Sequence, residues 1–275
     1  MKFQLWINSC LHIAFCAGLL SYASASFLDV ESPLKFGLFA FFGTWCVYVS
    51  QRIFKGKKLG LTAVHEHIVN HKKSYVIVAV ICGLISAGIA SLSGLITLLI
   101  ASFAFIVSVA YVYFPGRKKS LRSSPISKIL LVALVWTIVT LLLPVNPFYS
   151  EMDLNQVWML AIERFLFIVM ITIPFDIRDM LRDGPNEKTL PILLGESKTR
   201  ALIALLFVAI GALVYQQWAL FLYSDLEALT ISSVYVLAFV LSLLAKTKYP
   251  EQYFTLGIDS TILLLGLALL SESFL

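Results

Sequence analysis

Three carboxylates share one stripe in the segment Pro174-Phe175-Asp176-Ile177-Arg178-Asp179-Met180-Leu181-Arg182-Asp183. At 100° per residue, Asp179 lies about −60° and Asp183 about −20° from Asp176, so a helix through this segment lines its acids along roughly 10 Å of one face. Oxygen-only donors suit a hard cation, and one or two carboxylates plus substrate phosphates is the usual way Mg²⁺ is held. The same spacing also describes a solvated helix end neutralised by Arg178 and Arg182.

Other ionisable residues fall where charge is expensive. Glu163, Arg164 and Asp259 interrupt long apolar stretches, and burial there requires partners on other helices or a cavity to line. Asp259 is also a candidate proton acceptor. Tyr48 and Arg52, one helical turn apart, can face the same pocket as Asp176, together with Gln51. Asn8 and His12, likewise one turn apart, read as interhelical hydrogen-bonding residues. His65, Glu66, His67 and His71 cluster, but Val69 stands where an HExxH zinc motif requires its second histidine, so a solvated or cap-forming loop is expected. Cys10, Cys16, Cys46 and Cys82 form no CxxC pair and read as buried thiols.

These residues are embedded in a very apolar chain. Of 275 residues, 59% are hydrophobic and 13% charged, and the mean hydropathy is +0.89, far from the composition of a soluble globular domain. The formal charge of +5 invites a nucleic-acid reading, which this hydropathy excludes. Nine apolar stretches are each close to the ~20 residues that a membrane-crossing helix requires. They run Leu5–Phe27, Phe36–Phe54, Tyr75–Ser91, Gly94–Phe114, Ile126–Leu143, Val157–Phe175, Ala201–Tyr223, Leu226–Ala245 and Tyr253–Leu270. Runs this long without period-2 alternation favour helices over a barrel. The expected fold is all-α, a polytopic nine-helix transmembrane bundle forming one domain over residues 1–275.

Of the 21 Lys and Arg residues, 19 fall at the N-terminus or in the connections 55–74, 115–125, 176–200 and 246–252, or at the span ends beside them. The opposite turns carry Asp29, Glu31, Glu151, Asp153, Asp225 and Glu227. The positive-inside rule makes the basic side and the N-terminus cytoplasmic and the C-terminus external, and a bacterial plasma membrane is the expected location. Ala23-Ser24-Ala25 after an apolar run also resembles a signal-peptide cleavage site, but Asn8, Ser9 and His12 make a poor signal core, so the first span is read as retained.

Asp176-x-x-Asp179-x-x-x-Asp183 followed by Lys188-Thr189-Leu190-Pro191 resembles the second aspartate-rich motif and following loop of the UbiA superfamily of intramembrane prenyltransferases. Phe114-Pro115-Gly116-Arg117-Lys118-Lys119 is similar to that family's Tyr-Pro-x-x-Lys-Arg stretch, with Phe114 in place of tyrosine. The resemblance implies a nine-helix bundle with a cytoplasmic polar site, a polyprenyl diphosphate donor and a hydrophobic acceptor, often aromatic. It further implies Mg²⁺ on Asp176, Asp179 and Asp183 as catalytic ligands, with Lys118, Lys119 and Lys188 near the diphosphate.

One departure is large. The family's first motif, Asn-Asp-x-x-Asp at the end of helix two, is replaced by Thr44-Trp45-Cys46-Val47-Tyr48-Val49-Ser50-Gln51-Arg52-Ile53-Phe54-Lys55, and no acid occurs between Glu31 and Glu66. Two readings follow. Arg52 and Lys55 bind diphosphate directly in place of a metal, since guanidinium forks suit phosphate oxygens. Alternatively, the chain keeps a lipid-diphosphate pocket as an accessory membrane protein without turnover. A transporter is the third class, disfavoured because helices three and four contain no ionisable group except tyrosine hydroxyls and Cys82.

Overall fold

The computed structural model describes residues 6–55, 63–112, 124–145, 153–180 and 189–274. Among these residues there is no strand, and nine long helical rods follow one another. They are α1 (Leu11–Phe27), α2 (Pro33–Lys55), α3 (Lys72–Leu92), α4 (Leu95–Val112), α5 (Pro125–Thr137, continued by a π turn over Ile138–Leu142 and a last turn Leu143–Val145), α6 (Leu154–Asp179), α7 (Glu196–Ala219), α8 (Asp225–Leu244) and α9 (a π turn over Tyr253–Ile258, then Ser260–Leu269). Five of them, α3, α5, α6, α7 and α8, are long and apolar enough to cross a membrane, and α1, α4 and α9 are shorter apolar helices. The chain has the architecture of an all-α polytopic membrane protein.

The apolar runs set the rods, while local chemistry moves their ends. Asp153 caps α6 by accepting from the Asn155 N–H at 3.1 Å, so that helix starts ahead of its first core residue, Val157. Ser224 and Glu227 form a reciprocal capping box that starts α8. The first rod is broken where a continuous span was expected. Trp6–Asn8 is helical, Ser9 and Cys10 form a turn, and Cys10 adopts a left-handed conformation with φ of 62° before α1 begins. The Trp45 indole donates to the freed Ser9 carbonyl at 2.8 Å, so the break is supported from α2. Non-helical backbone inside a membrane is tolerated where protein or a cavity covers it.

The basic connections also differ from plain loops. Residues 63–70, expected as a loop, form the short helix Ala63–Asn70, docked through the fully buried Ile68. A second short helix, Leu190–Leu194, precedes α7, which begins at Glu196 rather than at Ala201.

Side-chain size sets the packing. Gly18 of α1 faces Gly37 of α2 so closely that a Cβ on Gly18 would stand 2.9 Å from the Phe41 Cβ and 3.1 Å from the Gly37 carbonyl. Small residues at helix contacts allow this approach where lipid supplies no hydrophobic drive between helices. The bundle interior is built on α1 and α6, whereas α3 and α4 display large apolar side chains such as Ile77 and Leu99 outward.

At the end of the bundle away from the basic connections, one polar network ties five helices. Glu163 of α6 accepts from the Gln217 amide, the Tyr235 hydroxyl and, at 3.2 Å, the Tyr223 hydroxyl. Its neighbour Arg164 donates to Thr140 of the α5 π turn at 3.1 Å and to Ser24 of α1 at 3.2 Å. Both residues have the partners on other helices that their burial demands, and every named donor points at an acceptor.

Candidate functional site

A cavity of about 740 Å³ runs between α1, α2, α3, α4, α5, α6 and α9. Its walls are apolar over most of their length, with Phe39, Leu84, Phe105, Val132 and Ile168 among them. The end nearest the basic connections is polar, where Arg52, Lys128, Arg178, Asp179, Glu251 and Asp259 line it together. The fold brings Tyr48, Gln51, Arg52, Asp179 and Asp259 to the lining of one cavity. The π turn Tyr253–Ile258 immediately precedes Asp259, and such turns re-aim the side chains that follow them.

Asp176 is placed differently. It is fully buried and lies behind the cavity wall. Its Oδ1 accepts from Lys128 Nζ at 2.6 Å, and its Oδ2 accepts from the Leu190 backbone N–H at 2.9 Å. The Leu190 contact pins the Leu190–Leu194 helix to the end of α6. Asp179, three residues on, receives Arg178 Nε at 2.7 Å and Nη2 at 3.2 Å. The Arg178 guanidinium lies 5.0 Å from the Phe175 ring centre and 5.4 Å from that of Phe254. Arg178 is therefore a direct partner of the acid stripe, in the neutralising role its spacing allowed. The reason is reach, since a long guanidinium chain folds back onto the next residue when two aromatic faces hold it there.

Asp183, Lys118, Lys119 and Lys188 lie outside the described residues, as does the side chain of Lys55. Among the described residues no cluster of three acidic, histidine or cysteine side chains is assembled for a metal. The donor chemistry nevertheless suits a hard cation. Asp176 and Asp179 stand one turn apart, all their donors are oxygen, and each already holds a cationic side chain. Among the described residues, Asp179, Glu251 and Asp259 line the same end of the cavity as the cations Arg52, Lys128 and Arg178, with Asp176 behind Lys128.

Lys128 is the site residue that sequence reasoning did not single out. Its signal was present, because it falls inside the fifth apolar stretch, where a charged residue requires a partner. His12, expected as an interhelical hydrogen-bonding residue, accepts from Trp6 Nε1 at 3.3 Å and meets the Ser260 hydroxyl of α9 at 3.1 Å, at the cavity edge. His67 meets the Tyr75 hydroxyl at 3.1 Å outside the bundle, where burial and then the neighbouring His71 lower its pKa below the usual histidine range. It contributes nothing to the cavity.

No family model and no curated protein matches the sequence. Solved structures do. The chain superposes on a UbiA homolog from Archaeoglobus fulgidus bound to GPP and Mg²⁺, with a TM-score of 0.66 at 14% identity, covering 97% of this chain and 99% of that one. It matches the apo UbiA homolog from Aeropyrum pernix K1 with a TM-score of 0.70 at 12% identity, over 96% and 98% of the two chains. A digeranylgeranylglyceryl phosphate synthase matches with a TM-score of 0.62 at 15% identity and 98% coverage of each chain. The chain thus has the UbiA fold from end to end.

Proposed function

We propose that the chain is a UbiA-superfamily prenyltransferase, transferring a prenyl group from a polyprenyl diphosphate to a hydrophobic acceptor that is an aromatic ring or a lipid. The observation that carries this reading is the cavity: it is apolar along its walls and lined at one end by the cations Arg52, Lys128 and Arg178 beside the carboxylates Asp179, Glu251 and Asp259, which suits an isoprenoid tail with a diphosphate and a divalent cation at its head. In this reading the basic end faces the cytoplasm, following the positive-inside rule.

Reaction requires the allylic C–O bond to break, with its electron pair leaving on diphosphate. The acceptor then bonds to the allylic carbon and gives up a proton. Fixed cations at the leaving group stabilise the charge as it develops, and the apolar walls exclude water that would capture the cation. Arg52 stands where the family's first aspartate motif is missing and serves as a phosphate ligand, as do Lys55, Lys118, Lys119 and Lys188 from the flanking basic segments. Asp176, Asp179 and Asp183 would hold Mg²⁺, which when bound supplies positive charge beside the leaving diphosphate. Tyr48, Gln51 and Asp259 shape the pocket beyond the phosphates.

The ion pairs on Asp176 and Asp179 favour a second reading, an accessory protein that binds lipid diphosphate without turnover. One experiment separates the two. Purified protein in nanodiscs with Mg²⁺ and labelled geranyl diphosphate is expected to release pyrophosphate, and Asp179→Ala to lower that rate by about a hundredfold or more. Binding of the donor with no pyrophosphate release across donor lengths and acceptors would select the accessory reading.

A further inference from the structure

Lys128 stands between the cavity and Asp176. Lys128 lines the cavity, while the carboxylate its ammonium holds is fully buried and has both oxygens engaged, one by Lys128 Nζ at 2.6 Å and one by the Leu190 N–H at 2.9 Å. A ligand reaching that end of the cavity therefore meets the ammonium before the carboxylate. The neighbouring pair is built in another way. Arg178 holds Asp179 through two nitrogens and is flanked by the rings of Phe175 and Phe254. A planar fork with two hydrogen bonds and two ring contacts is fixed in place, whereas an ammonium on a four-carbon stem is able to turn.

We infer that Lys128 is an exchange residue. In the metal-free site it holds the Asp176 carboxylate; when substrate enters, it releases that carboxylate to a divalent cation and turns its ammonium onto the diphosphate of the donor. The inference rests on the proposed use of a prenyl diphosphate. Three observations support it together. The Asp176 carboxylate is fully buried and ion-paired, and removing one partner of a buried pair is strongly destabilising, so whatever displaces Lys128 from it has to be another cation. Among the described residues the carboxylates Asp179, Glu251 and Asp259 line the same end of the cavity as Lys128, so a divalent cation arriving with the diphosphate meets oxygen donors there. The one cation that both touches the buried acid and lines the cavity is Lys128 among the described residues. Coupling is the physical consequence: divalent cation and diphosphate each raise the other's affinity by the same factor, because each draws Lys128 toward the same arrangement.

The test needs neither an acceptor nor turnover. Mn²⁺ binding to the full-length protein is followed by electron paramagnetic resonance, with and without inorganic pyrophosphate, after subtraction of the Mn²⁺–pyrophosphate complex in buffer. The wild-type protein is expected to bind Mn²⁺ about tenfold more tightly when pyrophosphate is present. Lys128→Met removes the competitor, so Mn²⁺ affinity without pyrophosphate rises about tenfold and the coupling falls toward unity. Lys128→Arg keeps a cation on Asp176 and so protects the fold, but its fork grips the carboxylate harder, and Mn²⁺ binding should drop below that of wild type. Asp176→Asn should lose the bound Mn²⁺ signal. Equal Mn²⁺ affinities in the wild-type, Lys128→Met and Lys128→Arg proteins would overturn the inference, as would coupling that survives in Lys128→Met. A loss of the enzyme reading has a different signature, in which geranyl diphosphate yields no pyrophosphate while the Mn²⁺ coupling and its dependence on Lys128 persist.

Discussion

Replacing Lys128 by Met removes the ammonium from a carboxylate that has no access to solvent. At 2.6 Å the gross attraction is about 6 kcal/mol for an effective dielectric near 20. Desolvation of the two charges offsets much of that in the intact pair, but it continues to act on Asp176 when Lys128 is gone. Removing one partner of a buried pair costs about 3–5 kcal/mol for this reason. The Leu190 N–H is the remaining donor on that carboxylate among the described residues, and one neutral hydrogen bond returns about 1 kcal/mol. The single variant should therefore melt well below wild type, by about 6–12 °C for a loss near 3 kcal/mol in a chain of this size. The double variant Lys128→Met/Asp176→Asn removes both charges while its amide oxygen can still accept from Leu190. It should recover most of the loss, because replacing both partners of a buried pair is close to neutral. Thermal melts in detergent, followed by fluorescence from the chain's five tryptophans, measure both variants. Mg²⁺ should raise the melting temperature of Lys128→Met more than that of wild type, since the exposed demand for a cation is greater. Identical melting temperatures for the single and double variants would show that Asp176 costs nothing once its partner is gone, and would refute the buried pair as the organiser of this end of α6.

Other consequences follow from the same structure. Arg52→Ala should raise the KM for a prenyl diphosphate by about tenfold or more in steady-state kinetics, since a guanidinium–phosphate contact is charge-assisted; an unchanged KM would remove Arg52 from the phosphate site. Gly37→Val forces side-chain atoms into the 2.9 Å approach of Tyr22 and should cost about 1–3 kcal/mol in denaturation by detergent titration. Glu163→Ala strands the Tyr223, Tyr235 and Gln217 donors in the bundle interior, and should lower stability by about 1–3 kcal/mol for each donor that finds no new partner. Its catalytic rate per folded molecule should stay at the wild-type level, because the network lies at the opposite end from the cavity's polar residues.

Much of the bundle was legible because membrane helices advertise themselves by length. Each of the nine apolar stretches became a rod, and the burial economics that singled out Glu163, Arg164 and Asp259 held at all three. What escaped depends on contacts distant in sequence. Lys128 and Asp176 are 48 residues apart, and no local pattern pairs them; the acid stripe suggested a cation without saying that a lysine would supply it. The break at Cys10 was hidden for a related reason, since a left-handed cysteine has no propensity signal and is held by Trp45 from the next helix. The helix Ala63–Asn70 was missed because its histidines and glutamate read as solvated chain, while its stability comes from the docking of Ile68. That Arg178 could neutralise the acid stripe was legible from spacing, but the Phe254 ring from α9 that its guanidinium lies over was not.

The central claim is that a prenyl diphosphate lies in this cavity with its phosphates at the polar end. A cryo-electron microscopy structure of the protein in nanodiscs, with Mg²⁺ and a non-ionising geranyl thiodiphosphate, tests it most directly. The prediction is phosphate density within hydrogen-bonding distance of Arg52 and Lys128, metal density on the helix-six carboxylates, and the isoprenoid tail along Phe39 and Val132. Phosphate density elsewhere, or an Asp176–Lys128 pair unchanged with the analogue bound, would contradict it.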